Sequence, residues 1–251
     1  GSGMWKSATG LGEVQRHFFD PTTGQAAFFG LVKEGDSNTM VTVRLRVERG
    51  EISEAEWYIA RKGAHGISGP PEPGKEGDAF YDLERFIAKA PPQPEVAPEQ
   101  RLSREALIAI TNSYFDGITN HNGSIIIAHP GCMRLENGFQ TTGKALAKDK
   151  LHDGYQGKSD CTSYMNNFGV ALVAARRYPM VDEEAQVVLG TAIFLRQPGI
   201  AKRRLGLSEF FYIDKGKIRE IHAAMFFPPQ DRPLPNWPPY DGNFTMPSTF
   251  S

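Results

Sequence analysis

The strongest constraint on the fold is an internal repeat of one strand–turn–strand unit. The stretch Phe211–Met225 reads FYIDKGKIREIHAAM, and an earlier stretch, Leu45–Ile59, reads LRVERGEISEAEWYI. Both contain a hydrophobic run, a charged pair, a glycine, an isoleucine and a glutamate at matching positions. Such self-similarity indicates one supersecondary unit used twice, although two unrelated hairpins can share a frame of strand, Lys/Arg-Gly and strand.

The similarity extends upstream of both hairpins. Arg16 and Gln25 stand nine residues apart before the first copy, as Arg177 and Gln186 do before the second. Each glutamine opens an apolar run, QAAFFGLV in the first copy and QVVLGTAIFL in the second. The common spacing predicts two related, curved β-meanders in one chain.

Length and charge limit the classes of partner. The 251 residues suffice for one large or two small domains. A formal net charge of -1 gives no electrostatic attraction to nucleic acid or to an anionic membrane. No apolar run approaches the roughly 20 residues of a membrane helix, and no signal peptide is recognisable. We therefore expect no nucleic acid and no membrane as partners, and a cytoplasmic protein, or a secreted one if the N-terminus is clipped.

The two cysteines, Cys132 and Cys161, are too few for a disulfide framework but enough for one bridge. In a reducing compartment thiols stay reduced. The sequence alone therefore favours two free thiols, with a single disulfide as the alternative.

The N-terminal part, residues 1–90, reads as a β-meander followed by a short helix. Asp78 is predicted to cap that helix, which runs to about Ala90. The segment PPQPEVAPEQ, residues 91–100, is a stiff linker and marks the domain boundary. Turn-forming residues separate four β-rich runs, and the short separators predict an antiparallel sheet; the runs are Glu13–Phe19, Gln25–Lys33, Met40–Glu48 and Glu51–Arg61.

Residues 101–228 read as a second domain that begins with a long helix. Ser103 is the predicted N-cap, and the buried stripe consists of Leu107, Ile110, Thr111, Tyr114 and Ile118. A strand at Cys132–Asn137 and a polar loop follow, and then four strands at 170–178, 186–196, 205–214 and 217–227. The tail, residues 229–251, is rich in proline, and we expect Trp237, Tyr240 and Phe244 to anchor it across a surface.

This order of elements is an α+β pattern. It resembles the nuclear transport factor 2-like, or SnoaL-like, superfamily, in which a curved antiparallel sheet wraps a long helix as a cone with a pocket at its open end. The resemblance covers about residues 101–228, whereas residues 1–63 match only the sheet half of a second unit. It implies two sheets packed face to face, as subunits pack in dimers of this superfamily, and it makes a homodimer a further expectation.

A narrower resemblance rests on whole words of sequence, namely GSGMWKSATG, DPTTGQAAFFG, RLRVERGEISEAEWYIAR, HPGCMRLENGFQTT, ARRYPMVDEE and DKGKIREIHAA. These words resemble an uncharacterised fungal and bacterial family of the same superfamily. Cofactor-free γ-formaldehyde lyases, which act on lignin-derived diarylpropanes and phenylcoumarans, are similar in fold class.

The strand Cys132–Asn137 carries the most informative polar pattern. Alternation places Cys132, Arg134 and Glu136 on one face, with apolar residues on the other. An arginine beside a glutamate can keep the carboxylate ionised, as a general base requires; a surface salt bridge on an edge strand is the alternative. The superfamily resemblance implies that this position lines the pocket, with Glu136 as base and Arg134 stabilising developing negative charge.

Two further residues are candidates on the same side. His129 precedes Pro130-Gly131 at a turn beside the expected pocket mouth, and it is a second candidate for the base; a structural histidine is the alternative. Tyr114 lies on the buried stripe of the long helix, and its hydroxyl needs a partner. Superfamily members that isomerise or cyclise place a tyrosine of this helix in the cavity, which implies a substrate-binding role, against the alternative of a core tyrosine.

Three more residues complete the predicted substrate-binding set. His222 can titrate near neutrality on the mixed face of the last strand, or it can be a histidine packed between sheets. Arg177 follows Arg176 in a strand, so one of the two faces inward or toward an interface, and an inward arginine can hold an oxyanion. Tyr164 lies on the short helix that is expected to roof the pocket.

Motifs for cofactor chemistry do not occur in the sequence. It contains no GxGxxG or GxxxxGK[ST] phosphate loop, no HExxH, no paired His or Cys at metal spacing and no GxSxG elbow. We therefore predict no cofactor and no metal.

The combined prediction is a cofactor-independent lyase or isomerase in aromatic compound catabolism. Its substrate would be a small aromatic or polyketide-like molecule, and its reaction would begin with proton abstraction. Retro-aldol release of formaldehyde from a lignin-derived biaryl is one specific version, motivated by the superfamily comparison. A non-catalytic small-molecule-binding or protein-interaction module of the same fold is the alternative.

Overall fold

The computed structural model describes residues 3–66, 77, 79–142, 160–163, 165, 169–196, 199 and 203–228. Over these residues the protein is a mixed α+β structure with two largely antiparallel sheets and few helices.

The first sheet, called sheet 1, has four strands in the order of the sequence. Every neighbouring pair is antiparallel, as the short separators predicted. The tight turns at Gly24, Gly35 and Gly50 all place a glycine at positive φ, which costs glycine little. The strands are β1 (Ala8–Asp20), β2 (Gln25–Glu34), β3 (Ser37–Glu48) and β4 (Glu51–Ala60).

The second sheet, called sheet 2, has six strands in the order β6-β5-β10-β9-β8-β7. Strands β7 to β10 form an antiparallel meander, whereas β5 runs parallel to β10, a departure from the wholly antiparallel sheet that the sequence suggested. The strands are β5 (Ala128–Glu136), β6 (Phe139–Gln140), β7 (Val170–Asp182), β8 (Val187–Arg196), β9 (Leu205–Asp214) and β10 (Lys217–Phe226).

The helices are α1 (Met4–Ser7), α2 (Leu83–Ala88) and α3 (Arg104–Thr119), with short 3-10 turns at Pro98–Gln100 and Gly123–Ile125. The Ser103 hydroxyl accepts a hydrogen bond from the Ala106 amide at 3.4 Å, so the predicted N-cap of α3 is confirmed. The second helix begins later than predicted, because the Asp82 side chain caps it through the Arg85 amide at 2.9 Å.

The two sheets pack face to face around a shared hydrophobic layer. Phe18 and Phe29 of sheet 1 contact Phe210 of sheet 2 with ring centroids 5.2 and 5.3 Å apart. Phe86 of α2 joins this layer against Phe29. A separate apolar layer lies on the far side of sheet 2, where α3 packs. Sheet 2 is therefore covered on both faces.

A reciprocal pair of buried hydrogen bonds joins the sheets. Asp20 ends β1 and Asp182 ends β7, and both are buried. The Phe19 amide donates to Asp182 Oδ2 at 2.9 Å, and the Val181 amide donates to Asp20 Oδ2 at 3.0 Å. In each sheet, the backbone amide of the residue before the strand-ending aspartate thus donates to the strand-ending aspartate of the other sheet.

A second contact joins equivalent residues directly. Thr42 and Ser208 each stand eight residues before the turn glycine of their hairpin, Gly50 or Gly216. The Thr42 hydroxyl donates to the Ser208 hydroxyl at 2.8 Å in the buried layer. Exchanged bonds and contact between equivalent residues are the signature of a two-fold relation. The internal repeat is therefore a pseudo-two-fold pair of sheets within one chain.

The expectation of two free thiols is wrong. Cys132 of β5 and Cys161 form a disulfide with Cα atoms 5.3 Å apart, and both cysteines are fully buried beside α3. The sequence could not show this, because the two residues are 29 positions apart and only the fold brings them together.

We predict that reducing this disulfide destabilises the protein by roughly 3–4 kcal/mol, because a bridge across a loop of this length restricts the unfolded chain. Thermal unfolding with and without a thiol reductant measures the effect. The Cys132→Ser/Cys161→Ser variant is the control, since reductant leaves it unchanged. Equal melting temperatures of the oxidised and reduced wild-type protein would contradict the prediction.

Candidate functional site

The candidate site lies on the face of sheet 2 that packs against α3. Tyr114 points from α3 toward this face, and its ring meets Phe211 of β9 edge-on at a centroid distance of 5.5 Å. Tyr114 is buried, as the predicted stripe required. Burial raises the pKa of the Tyr114 hydroxyl above its ordinary value, so the phenol is neutral.

Arg134 lies at the centre of the site and is almost fully buried. Its Nη1 donates to the Tyr114 hydroxyl at 2.5 Å, and its Nε donates to the Thr141 hydroxyl at 2.9 Å. Glu136 Oε1 is 3.3 Å from the same Nε. The alternation predicted for β5 thus places Arg134 and Glu136 in the interior, together with Cys132, and excludes the alternative of an exposed surface salt bridge.

Glu209 of β9 is a residue of the site that sequence reasoning missed. It pairs with Ala223, which in turn pairs with Glu136, so the two carboxylates stand in one cross-strand row. Two inter-strand spacings separate their backbones by about 10 Å. Glu209 is 1% exposed, and its Oε2 has no hydrogen-bond partner among the residues that the structure describes.

The two glutamates differ in their electrostatic surroundings. Glu136 is in an ion pair with Arg134. Burial raises the pKa of Glu209 to about 8, with the charge of Glu136 adding to the rise and Arg134 opposing it. Glu209 is therefore protonated at neutral pH. Oε2 of Glu136 is also buried without a partner within the described part of the chain. One face thus presents two polar oxygens with unused hydrogen-bonding capacity.

The internal repeat shows that the architecture does not require Glu209. Val43 stands at the equivalent place in sheet 1, seven residues before the turn glycine, as Glu209 does in sheet 2. Valine in a buried strand position is ordinary, whereas an unpaired carboxyl group there is costly. The difference between Val43 and Glu209 at equivalent positions of the two copies is the sequence signal that could have revealed Glu209.

His129 lies away from this group. Its Nε2 is 2.9 Å from the backbone oxygen of Asp214 at the β9–β10 turn, and its side chain is partly exposed. The pairing of β5 with β10 is irregular between Ala128 and Met133, where Gly131 has a positive φ, so regular alternation does not place His129 on the face of Arg134. The prediction of His129 as an alternative base beside Glu136 therefore does not fit the geometry.

Two other predicted residues face the opposite side of sheet 2. His222 Nε2 is 3.0 Å from Glu220 Oε2 in the layer between the sheets, and burial lowers the pKa of His222. Arg177 donates to Glu56 of β4 at 2.7 Å. Ile221 and Ala223 take the side of β10 that faces α3, so alternation directs His222 away from it. Neither His222 nor Arg177 can bind a substrate at Glu136; the alternative of a histidine between sheets is the one observed.

The remaining predicted residues lie outside the described ranges. They are Tyr164 and the tail residues Trp237, Tyr240 and Phe244. In the described part of the chain, no group of three His, Cys, Asp or Glu side chains is arranged to hold a metal ion. Within the same ranges, no helix has both the length and the apolar character needed to span a bilayer.

A family model described as "Domain of unknown function (DUF8021)" matches residues 100–225. The chain belongs to the DUF8021 family. No curated protein matches it. Among solved structures, a protein of unknown function with a cystatin-like fold from Methylobium petroleophilum PM1 is similar at 19% identity. That similarity covers 54% of this chain and 82% of the other, with a TM-score of 0.36.

All four polar residues of the site lie within the DUF8021 match, namely Tyr114, Arg134, Glu136 and Glu209. The match also includes α3 and all six strands of sheet 2 up to Met225, whereas sheet 1 lies before it. The DUF8021 region thus contains the complete polar group together with the helix and the sheet that bury it.

We predict that Glu209→Gln removes a pH-dependent loss of stability. Below pH 4.5 the carboxyl group is protonated in both folded and unfolded chains. From pH 4.5 to about 8 only the folded form keeps the proton, so stability falls as pH rises. The total cost is on the order of 5 kcal/mol. Urea unfolding from pH 5 to 8.5 should show Glu209→Gln gaining on the wild type as pH rises.

Glu51→Gln on the exposed end of β4 is the matched control, because it removes a solvated carboxyl group and should keep the wild-type pH dependence. A difference between Glu209→Gln and wild type that stays constant over the whole pH range would show that Glu209 ionises normally in the folded protein.

Proposed function

We propose that residues 101–228 of this DUF8021 protein form a nuclear transport factor 2-like cone that catalyses acid–base chemistry on a small apolar molecule. The reaction class is a lyase or isomerase step that uses the protein's own carboxyl groups. The observation that carries the proposal is that one buried face holds both an ion-paired glutamate, Glu136, and a protonated glutamate, Glu209. The α3 helix lying against a six-stranded sheet supports the cone architecture.

The division of roles follows from the two environments. Glu136, held by Arg134, is the general base, since its second oxygen is available to accept a proton. Glu209, protonated at neutral pH, is the general acid. Carboxyl groups that differ in protonation at the same pH are the usual basis for assigning an acid and a base.

Arg134 stabilises negative charge on the substrate, and Tyr114 orients the substrate. The guanidinium of Arg134 lies between the Tyr114 hydroxyl and Glu136, so it can offset negative charge that develops on a substrate oxygen. The rings of Tyr114, Phe115 and Phe211 contact one another in the same buried layer. These contacts suit a small aromatic substrate, because aromatic rings pack edge-to-face with one another.

Retro-aldol release of formaldehyde is one reaction that fits these groups. In a diarylpropane-1,3-diol, Glu136 would take the proton of the terminal hydroxyl. The bond to the terminal carbon would break to release formaldehyde, and its electron pair would form the new carbon–carbon double bond. The other hydroxyl would leave as water with the proton of Glu209. Proton exchange with solvent then restores both glutamates.

The alternative is a non-catalytic binding module of the same fold. An apolar face without titratable groups would favour it, whereas the buried glutamates and arginine of this face favour catalysis. The disulfide bears on location, since such bonds persist in oxidising compartments. We therefore propose secretion, the alternative to the cytoplasmic expectation.

We predict that Glu136→Gln lowers turnover at least tenfold while the fold is kept, since general-base catalysis contributes about 10²–10⁴-fold. The assay follows formaldehyde release and the absorbance of the stilbene product from a 1,2-diarylpropane-1,3-diol. Proton exchange in D₂O, followed by NMR on aromatic ketones, tests base catalysis without a leaving group. Circular dichroism verifies the fold.

Glu220→Gln is the matched control, because Glu220 lies beside His222 on the other face of sheet 2 and should leave turnover unchanged. Equal turnover of wild type and Glu136→Gln would remove Glu136 from the mechanism. Binding of the aromatic probes with no turnover and no proton exchange in the wild type would favour the binding module.

A further inference from the structure

The outer face of sheet 1, which points away from sheet 2, is unusually apolar. Its central cross-strand rows contain no Lys, Arg, Asp or Glu, and they read Gln15–Gly30–Val41–Ile59, His17–Phe28–Val43–Trp57 and Phe19–Ala26–Leu45–Ala55. A sheet face in water normally carries polar residues. The composition of these rows therefore indicates a surface that another segment covers.

The pseudo-two-fold relation identifies which surface this is. Val43 is equivalent to Glu209, and Val43 pairs with Phe28 as Glu209 pairs with Gly190. In sheet 2 this face receives α3, where a Cβ on Gly190 would lie 3.3 Å from Phe115. In sheet 1 a phenylalanine occupies the equivalent place. Within the hydrophobic cluster described on this face, Met4 of the four-residue helix α1 is the member from outside sheet 1.

The part of this face next to β4 is an aromatic platform, formed by Trp5 and Trp57. Trp5 is 80% exposed, and its ring meets that of Trp57 edge-on at 5.2 Å. The Nε1–H of Trp57 is buried, and within the described ranges it has no hydrogen-bond acceptor. Buried indole N–H groups ordinarily find an acceptor. The platform thus combines an exposed apolar ring with an unsatisfied donor.

We propose that the C-terminal segment, residues 229–251, docks on this aromatic platform and that one of its backbone carbonyls accepts the Trp57 Nε1–H bond. Proline-rich segments bind grooves lined by aromatic side chains, because their extended conformation is preformed and loses little entropy on docking. The segment reads PQDRPLPNWPPYDGNFTMPSTFS, which includes a PNWP sequence of the PxxP type.

The position where the segment begins supports this occupant. Phe226, at the end of β10, stacks edge-on against Tyr58 of β4 at 5.4 Å, and Tyr58 is the neighbour of Trp57. The Pro228 carbonyl accepts a bond from the Arg204 amide at 3.0 Å, which fixes the last described residue at this end of sheet 2. The segment therefore starts beside the edge strand of sheet 1.

The length and the charge of residues 229–251 are also compatible with docking on the outer face of sheet 1. Four strands about 4.8 Å apart are crossed in roughly 14 Å, whereas 23 residues in the extended proline conformation reach roughly 70 Å. The segment carries two aspartates and one arginine, so its charge is close to neutral. Its apolar residues Leu234, Tyr240 and Phe244 recur along its length, which gives several anchors for an uncharged face.

The test uses the full chain with Trp237→Phe, which leaves Trp5 and Trp57 as the only tryptophans. We expect acrylamide to quench their fluorescence at least twofold more strongly when Leu234, Tyr240 and Phe244 are also changed to Ser. The matched control changes Gln230, Asn236 and Asn243 to Ser, which should leave quenching unchanged. A photoreactive p-benzoylphenylalanine at position 240 should form an intramolecular crosslink to α1 or β4, mapped by mass spectrometry.

Equal quenching in the two serine variants, or crosslinks that avoid α1 and β4, would overturn the proposal. Crosslinks between two molecules, with protection that rises with protein concentration, would also overturn it and assign the platform to a second copy of the chain. Circular dichroism of each variant verifies that a change in quenching does not reflect unfolding.

Discussion

The packing of sheet 1 on sheet 2 is the interaction on which the rest of the structure depends. The exchange of bonds at Asp20 and Asp182 fixes the relative position of the sheets. Although burial raises its pKa, bonds from Arg104 and the Val181 amide hold the pKa of Asp20 below its ordinary value, so it remains a charged acceptor. Because sheet 1 covers one face of sheet 2, the other face is available for α3 and the polar group beneath it.

The pseudo-two-fold relation separates what the architecture needs from what a function needs. Thr42 and Ser208 are both small hydroxyl residues, and they meet each other. Val43 and Glu209 differ completely in chemistry although they occupy equivalent places. The matching residues Thr42 and Ser208 join the sheets, whereas the differing residues Val43 and Glu209 lie on the faces that point away from this interface.

Much of this could be predicted from the sequence. The repeat, the cap at Ser103 and the shared face of Cys132, Arg134 and Glu136 all depend on local spacing, and local spacing is visible in one sequence. The disulfide between Cys132 and Cys161 and the parallel pairing of β5 with β10 depend on contacts between distant segments. Glu209 was missed because it stands in the largely apolar strand LGLSEFFYID, where periodicity identifies a strand but does not single out one buried polar residue.

Burial of Glu209 also bears on why the residue is there. A carboxyl group that must stay protonated at neutral pH lowers stability as pH rises, and a valine such as Val43 would avoid that cost. Structures retain such groups mainly where chemistry uses them, because active sites give up stability for function. Glu209 lies one strand away from Glu136, which is ion-paired with Arg134. The destabilising carboxyl group therefore lies near the second carboxyl group that a proton-transfer reaction needs. That coincidence is the strongest physical reason to look for catalysis on this face.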